Sequence, residues 1–347
     1  MLDFSNAEFG QIAIHKVGNR SRNEILKLAT STVNLDEEVM SLLAAYFLKP
    51  FKIPQFYQFD HIENYQDNRV FALVSELFED SSMFFETSKK LASYLYEVAE
   101  HPNIKGGEFY VVHFKECIVD EEVVEAIGIF KSETKETFIK VYESSENLEV
   151  EQQEGININK LDKGCIIYNT EKEFGYKVSI VDKTNKNNEA VYWVDDFLKV
   201  KQREDSFYQT ANYLNICKGF VEDVFNEDNN VEKTDQFEVL GRSIEYFKDK
   251  EEFNSDEFEQ AVLEQPEIID AFKGYKQEFA DKYNVDVADD FSVSVDAVKK
   301  SKKDFKSILK LDKNFHVYIH GRRDFIEKGY DDMRKLNFYK LYFDAED

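Results

Sequence analysis

Apolar residues along the chain alternate between strand spacing and helix spacing, and the changes between the two outline the predicted elements. A strand is predicted at 9–17, where apolar and polar residues alternate. Three segments between 34 and 101 then carry apolar residues three and four positions apart, which is the spacing of amphipathic helices. In the first of them Asn34 stands where an N-cap is expected, and Glu37 follows it as in a capping box.

The alternating pattern returns between residues 108 and 200. Short runs of β-branched and aromatic residues are separated there by polar turns, which predicts an antiparallel sheet built as a meander. The predicted strands cover 108–119, 125–132, 137–143, 163–169, 175–183 and 190–200.

Helical spacing resumes after residue 205 and continues to about residue 303. The predicted helices cover 207–224, 232–249, 255–263, 267–283 and 295–303, and strands are predicted near 308–312, 315–320 and 338–343. Together the elements predict an α+β fold, in which an antiparallel or mixed sheet flanked by helices precedes a helical and mixed α/β C-terminal portion. We predict two domains, residues 1–200 and 201–347.

Composition narrows the class of protein. Hydrophobic residues make up 42% of the 347 residues, with 31 Phe and 19 Tyr, which is too apolar for a disordered chain. The three cysteines form no CxxC pair, so neither a zinc site nor a disulfide framework is predicted. The N-terminus lacks a signal-peptide pattern, and the longest apolar run, 42–48, is too short for a membrane span. We therefore expect a cytoplasmic protein with no membrane partner.

Charge is distributed unevenly along a chain whose formal net charge is −25. Residues 204–290 contain 24 Asp and Glu against 8 Lys and Arg, a net charge of −16. Residues 299–340 contain 13 Lys and Arg against 6 Asp and Glu, a net charge of +7. The bulk charge opposes binding to polyanions at long range, so any contact with phosphate is expected at the basic segment.

The order of several apolar segments resembles a known family. Segments "QIAIHKV", "GGEFYVVHF", "EAIGIFKS" and "GININKLDKGCIIYN" succeed one another in this chain as they do in the bacterial nucleoid-associated proteins known as NdpA or YejK. The resemblance runs from about Phe9 through the C-terminal strands. It implies a cytoplasmic bacterial protein found with the nucleoid, with DNA binding as the activity attributed to it and no settled catalytic chemistry.

The basic segment is the candidate DNA-binding site, and two geometries are open for it. A helix continuing through 299–310 would align lysines on one face for about 16 Å. A helix that stops near Asp304 would be followed by a strand, with Phe305, Leu309 and Leu311 facing inward. Both geometries leave the lysines outward. The residues predicted to contact phosphates are Lys299, Lys300, Lys302, Lys303, Lys306, Lys310, Arg322 and Arg323.

Other readings of the sequence remain open. The lysines could be neutralised by the protein's own acidic stretch, 204–290, or that stretch could dock a basic DNA-handling protein or imitate a polyanion. A metal-dependent nuclease is a weaker hypothesis, since it depends on loose pairs. These pairs are Glu125 with Lys131 and Asp182 with Lys183. We predict no cofactor, no metal site and no catalytic residue, and a homodimer because two-fold pairs are the commonest oligomers.

Overall fold

The structure of the chain is a computed structural model with two compact units. It describes residues 2–51, 55–60, 64–145, 147–182, 191–283, 285–305, 307–319 and 325–345. Unit 1 is Met1–Arg203 and unit 2 is Glu204–Asp347. Helices and a large antiparallel sheet occur together, so the predicted α+β class is confirmed. Among the residues described, none of the helices is long and apolar enough to span a membrane.

Unit 1 is built on one large antiparallel sheet. The strands of unit 1 are β1 (Leu2–Asp3), β2 (Glu8–Val17), β3 (Leu26–Lys27), β4 (Phe56–Phe59), β5 (Gly107–Val119), β6 (Glu122–Ser132), β7 (Glu136–Glu143), β8 (Leu148–Gly155), β9 (Lys163–Tyr168), β10 (Lys177–Asp182) and β11 (Val200–Gln202). Among the strands that the structure describes, β7 and β8 pair with each other alone, as a separate hairpin. The other strands form the sheet in the order β11-β4-β10-β9-β6-β5-β2-β3, with β1 beside β5.

Three helices of unit 1 begin at side-chain caps or short turns. They are α1 (Glu37–Leu48), α2 (Arg69–Glu79) and α3 (Phe84–Val98). The Asp36 carboxylate accepts a hydrogen bond from the Val39 amide, so Asp36 and not Asn34 is the N-cap of α1. The predicted cap is wrong because the backbone turns into the helix two residues later. Asn68 caps α2 by accepting from two amides of its first turn.

Helices cover both faces of the sheet. One core lies beneath α2 and α3 and contains Val111, Ile129 and Trp193. The opposite core lies beneath α1 and contains Val112 and Phe130. Neighbouring residues of a strand point to opposite faces, so strands buried on both sides appear in the sequence as continuous apolar runs.

The order of strands differs from the predicted meander. Strand β2 pairs with β5, and β4, which was not predicted, inserts between β10 and β11. The strand predicted at 190–200 is wrong: residues 191–198 form 3-10 and π-helical turns, and only β11 follows as a strand. These turns allow Trp193, Phe197 and Leu198 to enter one core together, which a strand with alternating faces would prevent.

Unit 2 is mainly helical. Its helices are α4 (Ser206–Asp223), α5 (Lys233–Asp249), α6 (Ser255–Phe258), α7 (Pro266–Tyr283) and α8 (Val295–Ser301). Its strands are β12 (Glu252–Asn254), β13 (Asp290–Ser292), β14 (Ser307–Leu311), β15 (Phe315–Ile319), β16 (Ile326–Asp331) and β17 (Leu336–Leu341). They pair as three two-stranded antiparallel sheets: β12 with β13, which are joined through α6 and α7, and the two hairpins β14–β15 and β16–β17. Strand β16 was not predicted.

Aromatic rings form much of the core of unit 2. The Tyr213 ring is fully buried, with its centroid 4.3 Å from that of Phe253 and 5.2 Å from that of Phe258. Phe253 in turn stacks on Phe247 and Phe291 at centroid distances of 5.0 and 4.5 Å. Large apolar rings of this kind explain how a highly charged segment still folds, because each buries a large area.

Candidate nucleic-acid interface

Helix α8 presents the first lysines of the predicted site. The Ser294 hydroxyl caps the helix by accepting a hydrogen bond from the Ala297 amide at 3.3 Å. Val298 is buried in the core of unit 2, and so is Phe305 in the 3-10 turn that follows the helix. These apolar residues hold the segment against the core. The polar residues between them are consequently directed to solvent.

The helix does not continue to residue 310. It ends at Ser301, a 3-10 turn covers Lys302–Phe305, and β14 follows. Of the two geometries left open by the sequence, the structure therefore has the helix followed by a strand. Leu309 is buried and Leu311 half-buried, as expected for inward positions of that strand.

Four of the predicted lysines lie together. Lys299, Lys300, Lys302 and Lys303 are all exposed, within five residues of one another. Lys299 Nζ is 3.6 Å from the Asp296 carboxylate of its own helix. Lys300 Nζ lies 5.4 Å from the centre of the Phe207 ring. Partial burial lowers the pKa of Lys300, and the positive charge of Lys303 lowers it further. The segment is thus a compact cluster of cations.

In the described residues, the ion pairs of Lys299, Lys302 and Lys303 are limited to that of Lys299 with Asp296. Among the described residues, no carboxylate lies within ion-pair distance of Lys302 or Lys303. No ion pair there connects Lys299 to the acidic stretch 204–290 either. The carbonyl end of α8 offsets part of the mutual repulsion, because cations are favoured near a helix C-terminus. An external anion would offset more of it.

The remaining predicted contacts are only partly located. Lys310 belongs to β14 opposite His316, but its side chain lies outside the described residues. Lys306, Arg322 and Arg323 also lie outside them. The site predicted from the sequence did not include further exposed cations on the two C-terminal hairpins, although the local excess of Lys and Arg indicated them. These cations are Lys313, Lys328, Arg334, Lys335 and Lys340.

Aromatic residues beside the cations are more exposed than the sequence suggested. The side chains of Phe315, Tyr318, Tyr330 and Phe338 are exposed to 63%, 58%, 55% and 44%, whereas Phe305 is buried. Core packing was the expected use of all of them. Two-stranded hairpins leave faces that no further layer covers, which is why the expectation is wrong for these four. Exposed rings of this kind can stack on unpaired bases.

The pairs considered for nuclease chemistry have other partners. Glu125 lies 3.3 Å from His113, and Lys131 is buried with Glu133 at 3.0 Å. The structure therefore does not bring Glu125 and Lys131 together. Asp182 accepts hydrogen bonds from Lys163, and Lys183 lies outside the described residues.

No metal site is assembled in the described part of the chain. It contains no group of three or more His, Cys, Asp or Glu side chains that could hold a metal ion.

One comparison with known proteins covers most of the chain. A family model described as "Nucleoid-associated protein YejK" matches residues 13–335. No curated protein matches the chain. The matched range includes the sheet of unit 1, the helices of unit 2 and the lysine cluster on α8.

Proposed function

Because the chain belongs to the family of nucleoid-associated proteins described as YejK, we propose that it binds DNA and that unit 2 contacts the phosphates. The family is named for its association with the nucleoid and not for a catalytic activity. This agrees with the prediction that the chain is not an enzyme.

The lysine cluster formed by the end of α8 and the 3-10 turn after it carries the proposal. Lys299, Lys300, Lys302 and Lys303 are exposed side by side, and buried residues on either side fix the segment that bears them. A lysine that neutralises a phosphate releases condensed counterions, which supplies binding free energy independent of DNA sequence. Lys306, Lys310, Arg322 and Arg323 extend the proposed contact surface along the chain.

Because the chain has a net charge of −25, contact with DNA depends strongly on this local cluster of cations. The acidic remainder of the chain repels DNA, so a productive encounter requires the basic C-terminal region to face the phosphates. We therefore expect binding that is oriented and sensitive to salt, with unit 2 next to the DNA.

Fluorescence anisotropy on a labelled duplex tests the proposal between 50 and 200 mM salt. Replacing Lys299, Lys300, Lys302 and Lys303 by Glu should weaken binding at 50 mM at least ~100-fold, because contacts are lost and repulsion is added. The slope of log affinity against log salt should become shallower by about 2 to 4, at roughly 0.9 per phosphate contact. A variant that binds as tightly as the parent would refute the site.

A matched control separates the site from the total charge. Four exposed lysines of unit 1 are replaced by Glu, which gives the same net charge as the test variant. These are Lys27, Lys49, Lys115 and Lys160. The control should keep most of its affinity. If it loses as much as the test variant, net charge and not the α8 cluster determines binding.

The same titration on a single strand examines the exposed rings. Stacking of bases on Phe315 and Tyr318 would add about 1 to 3 kcal/mol per base and would favour single strands over duplex. Equal loss of duplex and single-strand binding in the lysine variant indicates that phosphate contact is the shared requirement.

A further inference from the structure

The β7–β8 hairpin of unit 1 has two unlike faces. Val141 is paired with Val150, and this register places Ile139 and Leu148 on the same face as the two valines. Their exposed fractions are 70% for Ile139, 59% for Val141, 70% for Leu148 and 66% for Val150. The four side chains form an uncovered apolar strip.

The opposite face is largely polar and makes its own contacts. Lys140 stands across from Glu151. The Tyr142 hydroxyl donates to the Glu149 carboxylate at 2.9 Å. The Phe138 ring covers Gly155, where an added Cβ would lie 2.8 Å from its edge. Side chains of this polar face thus contact one another, whereas the four apolar side chains of the other face lie in solvent.

No other strand extends this hairpin in the described residues. All eight residues of β7 are exposed, and β7 and β8 form a two-stranded sheet with two outer edges. An isolated two-stranded hairpin is only marginally stable in water, so a partner that covers the apolar strip would also stabilise the hairpin. A polypeptide could add to either edge and cover the strip at the same time.

Charge indicates which polypeptide fits. Residues 136–155 contain six Glu and one Lys, a net charge of −5. Glu143 and Glu154 lie on the apolar face itself, towards opposite ends of the strip. An acidic rim around an apolar strip repels DNA and repels a second copy of the same hairpin. It attracts a segment that carries Lys or Arg beside apolar residues.

The size of the apolar face also favours a single extended segment as its partner. Eight residues of strand extend about 27 Å, and two strands are about 10 Å wide, so the face offers roughly 270 Å². A stable protein interface buries about 800 Å² on each partner. The hairpin alone is therefore too small to hold a dimer together, but it is long enough for one extended segment.

We propose that the β7–β8 hairpin docks a basic, extended segment of another protein. The segment adds as a strand to an outer edge, places alternate apolar side chains over the strip formed by Ile139, Val141, Leu148 and Val150, and pairs its Lys or Arg residues with the rim glutamates. This site is separate in sequence and opposite in charge to the DNA-contacting cluster.

A designed peptide serves as the probe. Fluorescein-labelled (Lys-Val)5 is titrated with the full chain, beside (Glu-Val)5 and a peptide in which five Lys precede five Val. The alternating basic peptide should bind at least tenfold more tightly than the other two, and its affinity should fall with added salt. Equal binding of the basic alternating and block peptides would overturn the proposed strand addition.

Two double variants test whether the apolar strip and the rim glutamates bind the peptide. Val141→Thr with Val150→Thr keeps β-branched side chains at exposed positions but makes the strip polar, and should weaken binding at least tenfold. Glu143→Lys with Glu154→Lys should shift the preference towards (Glu-Val)5. A matched control, Glu122→Lys with Glu173→Lys, makes the same change of charge at exposed positions elsewhere in unit 1. Unchanged binding in the first two variants overturns the proposal.

Sedimentation of the full chain tests whether a second copy of the chain covers the strip. If a second copy covers the strip, the chain self-associates more strongly as salt screens the glutamates, and Val141→Thr with Val150→Thr abolishes the association. That result, with no binding of (Lys-Val)5, would replace the proposal with self-association. The fourfold lysine variant of α8 should bind the peptide normally, which separates this site from DNA binding.

Discussion

The two units place their cations differently. Unit 1 buries Lys131 and Lys163 completely or almost completely within its sheet. In the described part of unit 2, no Lys or Arg is buried, and the lysines of α8 are exposed. Lysines of the first kind are enclosed by the fold and cannot reach a partner. The comparison shows that a count of cations does not locate a binding surface until the internal ones have been set aside.

Each of the two buried lysines is neutralised by a neighbouring carboxylate. Lys131 Nζ lies 3.0 Å from both Glu133 and the Tyr192 hydroxyl and donates to the Lys105 carbonyl at 2.7 Å. Burial lowers the pKa of Lys131, and Glu133 opposes that shift. Lys163, its neighbour across the sheet, contacts both Asp182 carboxylate oxygens. Each cation thus has the carboxylate that a low-dielectric interior requires.

Removing a buried cation should have the largest effect. Lys131→Met leaves the Glu133 carboxylate buried with the Tyr192 hydroxyl but without its cation, and we expect the free energy of unfolding to fall by about 3 to 5 kcal/mol. Urea unfolding followed by fluorescence measures it, because Trp193 is the only tryptophan and lies in the core of unit 1. The double variant Lys131→Met with Glu133→Leu should recover most of the loss.

An exposed pair provides the control for that measurement. Lys172 lies 2.7 Å from Glu79, with both side chains largely exposed. Lys172→Met should cost less than about 1 kcal/mol. If Lys131→Met costs no more than Lys172→Met, the buried lysine matters no more to stability than an exposed one.

Acid should introduce a cation in the core of unit 1, at a position where the described residues supply no ion-pair partner. His15 is buried, accepts from the Ala29 amide at 3.0 Å and lies 3.0 Å from the Ser88 hydroxyl. Burial lowers the pKa of His15 from 6.5 to about 4, with a contribution from Lys89. Between pH 6.5 and 4 the unfolded chain therefore binds the proton and the folded chain does not, so stability falls as the pH is lowered.

From pH 7 to pH 5 this linkage should lower the free energy of unfolding by about 2 kcal/mol. Urea unfolding at both values, in the parent and in His15→Gln, isolates the contribution of His15 from that of other groups. A parent and variant with the same pH dependence would show that protonated His15 is tolerated in the core.

The cap of α8 should give the smallest effect and tests the exposed cluster. Ser294→Ala removes the hydrogen bond to Ala297 and should destabilise the start of the helix by about 1 kcal/mol. Hydrogen exchange of residues 295–301 should accelerate, and duplex affinity should fall a few fold. Ser294→Thr retains the hydroxyl and serves as control. Faster exchange with unchanged affinity would show that the lysines need no ordered helix.

Periodic segments of the sequence predicted their elements well, because one buried face is enough to define them. Helices α2 and α3 and strands β5 and β6 lie close to their predicted positions. The strand predicted at 190–200 is wrong because β-branched and aromatic residues there favour strands, whereas packing the adjacent Phe197 and Leu198 into one core requires turns. Tertiary packing overrides local propensity in such cases.

The candidate site was partly readable from local sequence. The lysines of α8 lie between apolar residues such as Val298 and Phe305, so their outward direction follows from the neighbours. The burial of Lys131 could not be predicted in the same way, because its surroundings depend on β6 lying beside β9. Strand β8 escaped prediction since its many glutamates hide the apolar side of the hairpin.

The place of β4 in the sheet has a consequence during synthesis of the chain. Its partners, β10 and β11, end at Asp182 and Gln202, more than a hundred residues after Phe59. At about 5 to 20 residues per second, roughly 7 to 29 s separate the synthesis of Phe59 from that of Gln202. The ribosome must therefore deliver nearly all of unit 1 before this edge can close. Until then, the apolar surfaces of α2 and α3 remain incompletely covered and open to chaperones.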